Sequence, residues 1–313
     1  MNTFQKPASD VAVSLVTPKE YYQKAGGMMT LSSSVVNILT PSLATALLTL
    51  AGMETVFLFD LAAFAAASLS LIFLVKLPEE ELKERETEKL SESVKQGIRF
   101  LRENRGIFDL ILFLAAVNFI AAIYQAALPA MLLSREGGGK MALGIVNTVT
   151  GAALLMGSFL ASLLPAPESR VRIICNSLLI SMSTEYFFLA FGRNTLVWCL
   201  GAFLGWLTIP IMNANMDTLF RNYIPIAMQG RIYAARNTFQ FFTIPLGTLA
   251  GGVLVDKWME PWMASRPEGS AFIRLFGKGK GSGAALLFFL IAFAGMIVCL
   301  IFRKDRHIWE LES

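Results

Sequence analysis

Residues 107–133 read IFDLILFLAAVNFIAAIYQAALPAMLL, with Asp109 as the single charge in the run. At 1.5 Å per residue such a helix is about 40 Å long, more than the ~30 Å hydrocarbon core of a bilayer. Seven further stretches have the same character, at 27–50, 55–75, 142–164, 173–192, 195–215, 232–255 and 282–302. Together the eight predict an all-α integral membrane protein with eight transmembrane helices. Composition agrees. The chain is 55% hydrophobic and 16% charged, with a mean hydropathy of +0.56, where a soluble domain carries about 25% charge.

The formal charge of +4 says less than where the charges sit. Of the 27 Lys and Arg, 19 fall before the first segment, in alternate loops (with Arg236 near the start of the seventh segment) and after the last segment; 8 fall in the other loops. The positive-inside rule then places both termini in the cytoplasm of a cell (plasma or inner) membrane, consistent with an even number of crossings. No nucleic-acid partner is expected. Cys175, Cys199 and Cys299 occupy apolar positions without CxxC spacing and read as small, reduced, buried residues. His307, the only histidine, lies in a polar tail, so no metal site is expected. Residues 1–24 lack a charged region followed by an apolar core, which predicts no cleavable signal peptide.

The crossings are unevenly spaced. Between the second and third lies a charged stretch, 76–106, whose Leu90, Val94, Ile98 and Leu101 share one helical face. It predicts an amphipathic helix on the cytoplasmic surface. An internal repeat is also visible. Pro18 precedes a long apolar helix containing Pro41, as Pro225 precedes one containing Pro245. Each helix is followed by a shorter crossing and a charged end. Four crossings precede Pro225 within its unit, so the same number is expected before Pro18, where about seventeen residues stand.

Several stretches carry a family resemblance. They are Asn2–Ala8 with Leu15–Pro18, Phe57–Asp60 with Ala63–Phe64, Gly97–Arg102, and the run from Gly230-Arg231 through Pro245-Leu246-Gly247 to Val255-Asp256-Lys257. The last is the most specific. The chain resembles the major facilitator superfamily, in the bacterial drug-efflux branch that includes macrolide exporters. The resemblance implies twelve helices in two halves, of which the eight segments are the fifth to twelfth. Residues 1–75 would be the remnant of an N-terminal half, 76–106 a cytoplasmic linker, 107–302 the C-terminal six-helix half and 303–313 a cytoplasmic tail. It further implies proton-coupled efflux of hydrophobic or amphipathic small molecules, the earlier helices being absent or supplied by a partner protein. A non-transporting scaffold, or the partner subunit of a split transporter, is the alternative. An exposed face of small and polar residues is expected on the first segment.

Polar groups on the helices that the resemblance places around the pathway are its candidates: Asn37, Asn118, Gln125, Asn147, Asn213 and Gln240, with Tyr124 and Trp206. Aromatic surface with a few hydrogen-bonding groups suits bulky amphipathic ligands, although interhelical bonding explains the same residues. Glu185 and Asp60 are ionisable groups inside apolar segments and are the proton-coupling candidates. Asp60 also reads as a structural partner, and Glu185 as a carboxylate near an interface that reaches water. Asp109 and Asp256 stand at helix ends and read as solvated. Pro41 and Pro245 are expected to kink or gate their helices. Gly201/Gly205 and Gly247/Gly251 are GxxxG pairs, read as helix-packing surfaces. Arg231 and Arg236 are expected at the cytoplasmic face, against helix C-termini or lipid phosphate. Gly139-Lys140 and Gly277–Gly281 lack phosphate-loop spacing, and no HExxH or GxSxG occurs. No enzyme activity and no cofactor are expected.

Overall fold

A computed structural model describes residues 13, 17–74 and 90–312; the side chains of 37–53 and of a few other positions lie outside the description. Every described element is helical. The principal helices are α1 (Tyr22–Leu74), α2 (Leu90–Glu103), α3 (Arg105–Ser134), α4 (Lys140–Leu163), α5 (Arg170–Phe191), α6 (Thr195–Leu207), α7 (Ile209–Tyr223) and α8 (Ile226–Val253). A π-helical turn (Leu254–Met259) leads to α9 (Glu260–Ala264), and α10 (Ala271–Phe276), α11 (Ser282–Arg303) and α12 (Arg306–Trp309) complete the chain. From residue 105 onward six spans are long and apolar enough to cross a bilayer, α6 and α7 together forming one of them.

These spans match the six apolar stretches read from 107 onward. They pack in the spatial order α8, α3, α11, α5, then α6–α7 with α4, and the start of α1 lies over α4 and α7. In lipid, apolar side chains gain little by leaving a solvent as apolar as themselves, so association rests on close packing and internal hydrogen bonds. The glycine pairs meet that need. Built on Gly247, a Cβ would lie 2.5 Å from the Phe119 carbonyl oxygen, and on Gly251 it would lie 2.8 Å from that of Ile123. So α8 presses directly on α3. Gly201 and Gly205 do the same for α6 against α5, at Phe188 and Glu185.

Two elements differ from the sequence expectation. The segment expected at 195–215 breaks at Thr208 and resumes as α7. Pro210 at the start of α7 lacks an N–H to continue the ladder, and Thr208 Oγ1 bonds the carbonyls of Ser177 and Gly205. The segments at 27–50 and 55–75 form one unbroken helix, α1, about 80 Å long at 1.5 Å per residue. Between Leu50 and Thr55 only Gly52 disfavours helix, by about 1 kcal/mol, and no proline or asparagine stops it. The packed part of α1 is its start, where Gly26 abuts Ala214 and Gly27 abuts Ser162. Phe57, Leu58, Phe59, Leu61, Phe64 and Leu69 beyond it are all more than half exposed. Ser32 and Ser33 are exposed as expected of a polar face, whose remainder lies outside the described side chains.

The amphipathic stretch forms α2, as its spacing requires, and Gln96 on it accepts a hydrogen bond from Arg231 of α8. The tail after α11 is docked rather than loose. Ile308 and Leu311, three residues apart, are buried together. Glu312 accepts from the Val171 amide (2.8 Å) and the Ser169 hydroxyl (2.7 Å) at the start of α5. At the opposite end Arg135, just past α3, is 8% exposed and donates to the carbonyls of Leu189, Ala190 and Phe276 at 3.0–3.3 Å. Burial, with Arg193 nearby, brings its guanidinium down to about 10, so it stays charged at neutral pH and complements the C-terminal dipole of α5. Arg135→Met is expected to destabilise the protein by about 2–3 kcal/mol, the scale of charge-assisted bonds lost from a buried site. Thermal unfolding in detergent measures it against the exposed Lys280→Met, which should leave the transition unmoved.

Candidate functional site

Glu185 sits in the second turn from the end of α5, facing α3 and α6. Its side chain is 2% exposed, so in this arrangement the carboxylate does not reach bulk water. Tyr124 of α3 donates its hydroxyl to Glu185 Oε1 at 2.6 Å, and Trp206 of α6 donates its indole N–H to the same oxygen at 2.8 Å. Among the described residues Oε2 has no donor, and no Lys, Arg or His pairs with the carboxylate. The wall is aromatic. Tyr124 stacks on Tyr186 with centroids 5.2 Å apart, and Phe288 of α11 lies 5.7 Å from Tyr124.

Local packing places each group. Gly205 lets α6 approach α5 so closely that a Cβ there would lie 2.7 Å from Glu185 Cβ. That approach brings Trp206, the next residue, over the carboxylate. Tyr124 is carried on the most continuously buried helix, α3, one turn before Ala127 and Leu128, both buried. A charge in such a place is costly unless hydrogen-bonded, and two strong donors on one oxygen meet part of that cost.

The remaining candidates are not gathered here. Gln125 and Asn147 are exposed on α3 and α4, and Asn118, Asn213 and Gln240 are half-buried on α3, α7 and α8. Asp60 is exposed on α1 and takes no part in the cluster. Asn37 and Pro41 lie within α1 with side chains outside the description, and Pro245 is exposed within α8, which continues through it.

One reading is corrected by the geometry. Carboxylates do cluster at His307, whose Nδ1 lies 3.0 Å from Asp109 Oδ2 and 3.5 Å from Asp305 Oδ1. Asp109 is therefore a tethered partner of the tail rather than a freely solvated end. The cause is Gly106, whose missing side chain lets the His307 carbonyl press on the start of α3. Sequence reasoning also passed over most of the polar residues that tie this end together, Arg236 excepted. Arg170 donates to Gln23 (3.2 Å) and Asn215 (3.1 Å), and Arg236 pairs with Asp217 at 3.3 Å. Isolated polar residues on different helices carry no spacing signal. The position of Arg135 directly after an apolar run did carry one.

A spanning bundle closed by glycine contacts, with a hydrogen-bonded carboxylate in its interior, is the architecture of a membrane transporter domain. The chain belongs to the Major Facilitator Superfamily, whose profile matches residues 2–248, and so stands among transporters rather than enzymes. It is 22% identical over 259 residues to Macrolide efflux protein A of Streptococcus pyogenes, covering 81% of this chain and 63% of that protein. Macrolide efflux protein A of Enterococcus faecalis is 22% identical over 249 residues, 78% of this chain and 76% of that one. The Uncharacterized MFS-type transporter YfiS of Bacillus subtilis is 23% identical over 268 residues, 80% and 61% respectively. The chain thus spans about 63% of the Streptococcus relative.

If the carboxylate holds α3 and α6 together through one oxygen, the three side chains act as a unit. Tyr124→Phe is expected to cost about 1–3 kcal/mol by leaving a buried acceptor short of a donor. Combined with Glu185→Leu the losses should be clearly non-additive. Thermal unfolding of the single and double variants tests it; strictly additive losses would disconnect the two residues.

Proposed function

We propose that this protein serves in the export of hydrophobic or amphipathic small molecules, macrolides among them, across a bacterial plasma membrane, and that Glu185 is its proton-binding group. The observation that carries the proposal is the Glu185 carboxylate, bonded by Tyr124 and Trp206 and unpaired with any cation among the described residues. Gaining or losing a proton at Oε2 changes the charge inside a bundle that offers it no counter-ion among the described residues. The two protonation states therefore favour different packings of α5 against α3 and α6, which is the coupling that alternating access requires. The names of the macrolide efflux relatives support the substrate class.

In this reading residues 107–302 act as one six-helix half, 76–106 link it to residues 1–75, and both termini lie in the cytoplasm. The second half comes from further helices, in the same polypeptide or in another. The exposed apolar residues of α1 from Phe57 to Leu69 favour such a docking surface. They equally favour a second reading, in which the chain is the partner subunit of a split transporter and exports nothing by itself. A resistance assay separates the two, because macrolide efflux from cells expressing this chain alone, abolished by a protonophore, contradicts the partner-subunit reading.

Glu185→Gln keeps the shape and the acceptor oxygen but not the titration. It is expected to lower proton-driven export in vesicles at least about tenfold while substrate exchange without a gradient persists. Full gradient-driven export by Glu185→Gln would remove Glu185 from the mechanism.

A further inference from the structure

A groove of about 1060 Å³ runs between amphipathic α2, the start of α3 and the start of α8. That is as large as a site for a drug-sized ligand. Its floor is apolar, with Ile98, Phe108 and Phe239 among the lining, and its rim carries Arg102, Arg105 and Arg231. Arg231 is held across the groove by Gln96. Arg102 and Arg105 are exposed and have no ion-pair partner among the described residues. One acid, Asp109, also lines the groove and is engaged by His307, and Glu103 close by is paired with Arg99.

The helix ends add to the same charge. Arg105 is the first residue of α3, where the macrodipole already supplies partial positive charge and a cation is disfavoured. The adjacent Asn104 does not cap α3, since its amide turns back to the Phe100 carbonyl of α2. Positive charge is thus concentrated at the mouth of an apolar channel beside an amphipathic helix, the combination that suits a phosphate headgroup with an acyl chain.

We propose that this groove binds one anionic phospholipid from the adjoining leaflet, the phosphate between Arg102 and Arg105 and an acyl chain along Ile98, Phe108 and Phe239. Charge complementarity selects an anionic lipid over a zwitterionic one, and the apolar floor selects a lipid over a soluble phosphate. Bound there, the lipid joins α2 to the α3–α8 pair. The proposal requires membrane insertion only and is independent of proton coupling at Glu185.

The test is native mass spectrometry of the purified full chain in detergent, incubated with phosphatidylglycerol or with phosphatidylcholine of the same chains. Phosphatidylglycerol should be retained at least about tenfold more, the preference shrinking as salt rises. Arg102→Gln with Arg105→Gln should reduce its retention to the phosphatidylcholine level, whereas Arg266→Gln with Lys280→Gln, in the loops preceding α11, should not. Both rim arginines are exposed, so folding should survive; if the double variant is lost, Arg102→Gln alone with the salt titration gives the same reading. Equal retention of the two lipids, or undiminished retention by the rim variant, overturns the proposal. Displacement of the lipid by glycerol phosphate alone, at concentrations comparable to the lipid, would also overturn it, marking a site for soluble anions.

Discussion

The close approach of helix backbones at glycine is the constraint on which the rest of this bundle depends. In lipid, neither the hydrophobic effect nor water is available to hold helices together or to satisfy buried polar groups. Gly247 and Gly251 set α8 on α3, and Gly201 and Gly205 set α6 on α5. The second contact reaches beyond packing. Because Gly205 has no side chain, Trp206 is brought over Glu185, and the carboxylate acquires the second of its two donors. Site and scaffold are the same contact seen from two helices.

The two ends of the bundle solve a different problem, that of exposed helix termini. Arg135 gathers carbonyls from α5 and α10 at one end. Glu260 Oε1, in turn, accepts the amides of Gly281 and Ala284 where α11 begins. At the other end Glu312 serves α5, and His307 meets Asp109 beside the start of α3. Charged side chains placed against helix dipoles thus tie distant parts of the chain together. The first turns of α3 and α8 are the exception, since neither holds an acid and Arg105 opens α3.

Much was legible beforehand because in a membrane length and apolarity translate directly into spans. The six spans from 105 onward, the helix α2, and the packing role of both GxxxG pairs follow from spacing alone. Glu185, Tyr124 and Trp206 were each singled out for their chemistry, though in two separate roles. That they form one cluster depends on which faces of α3, α5 and α6 meet, and a nearly uniform apolar helix does not encode its own rotation. The docking of the tail had no signal in the sequence, because Ile308 and Leu311 are too few to stand out against polar neighbours.

What the amino-acid sequence determined by itself is the class of object: an all-helical membrane protein whose spans, amphipathic helix and close-packing glycines are local properties of composition and spacing. Only the tertiary structure decided that the tail docks on α3 and α5, and that Tyr124 and Trp206, from two other helices, meet one carboxylate oxygen of Glu185. The reason is physical. Local rules govern the few residues within a helical turn, whereas these outcomes depend on partners tens of residues away. Those partners meet only once the bundle has closed.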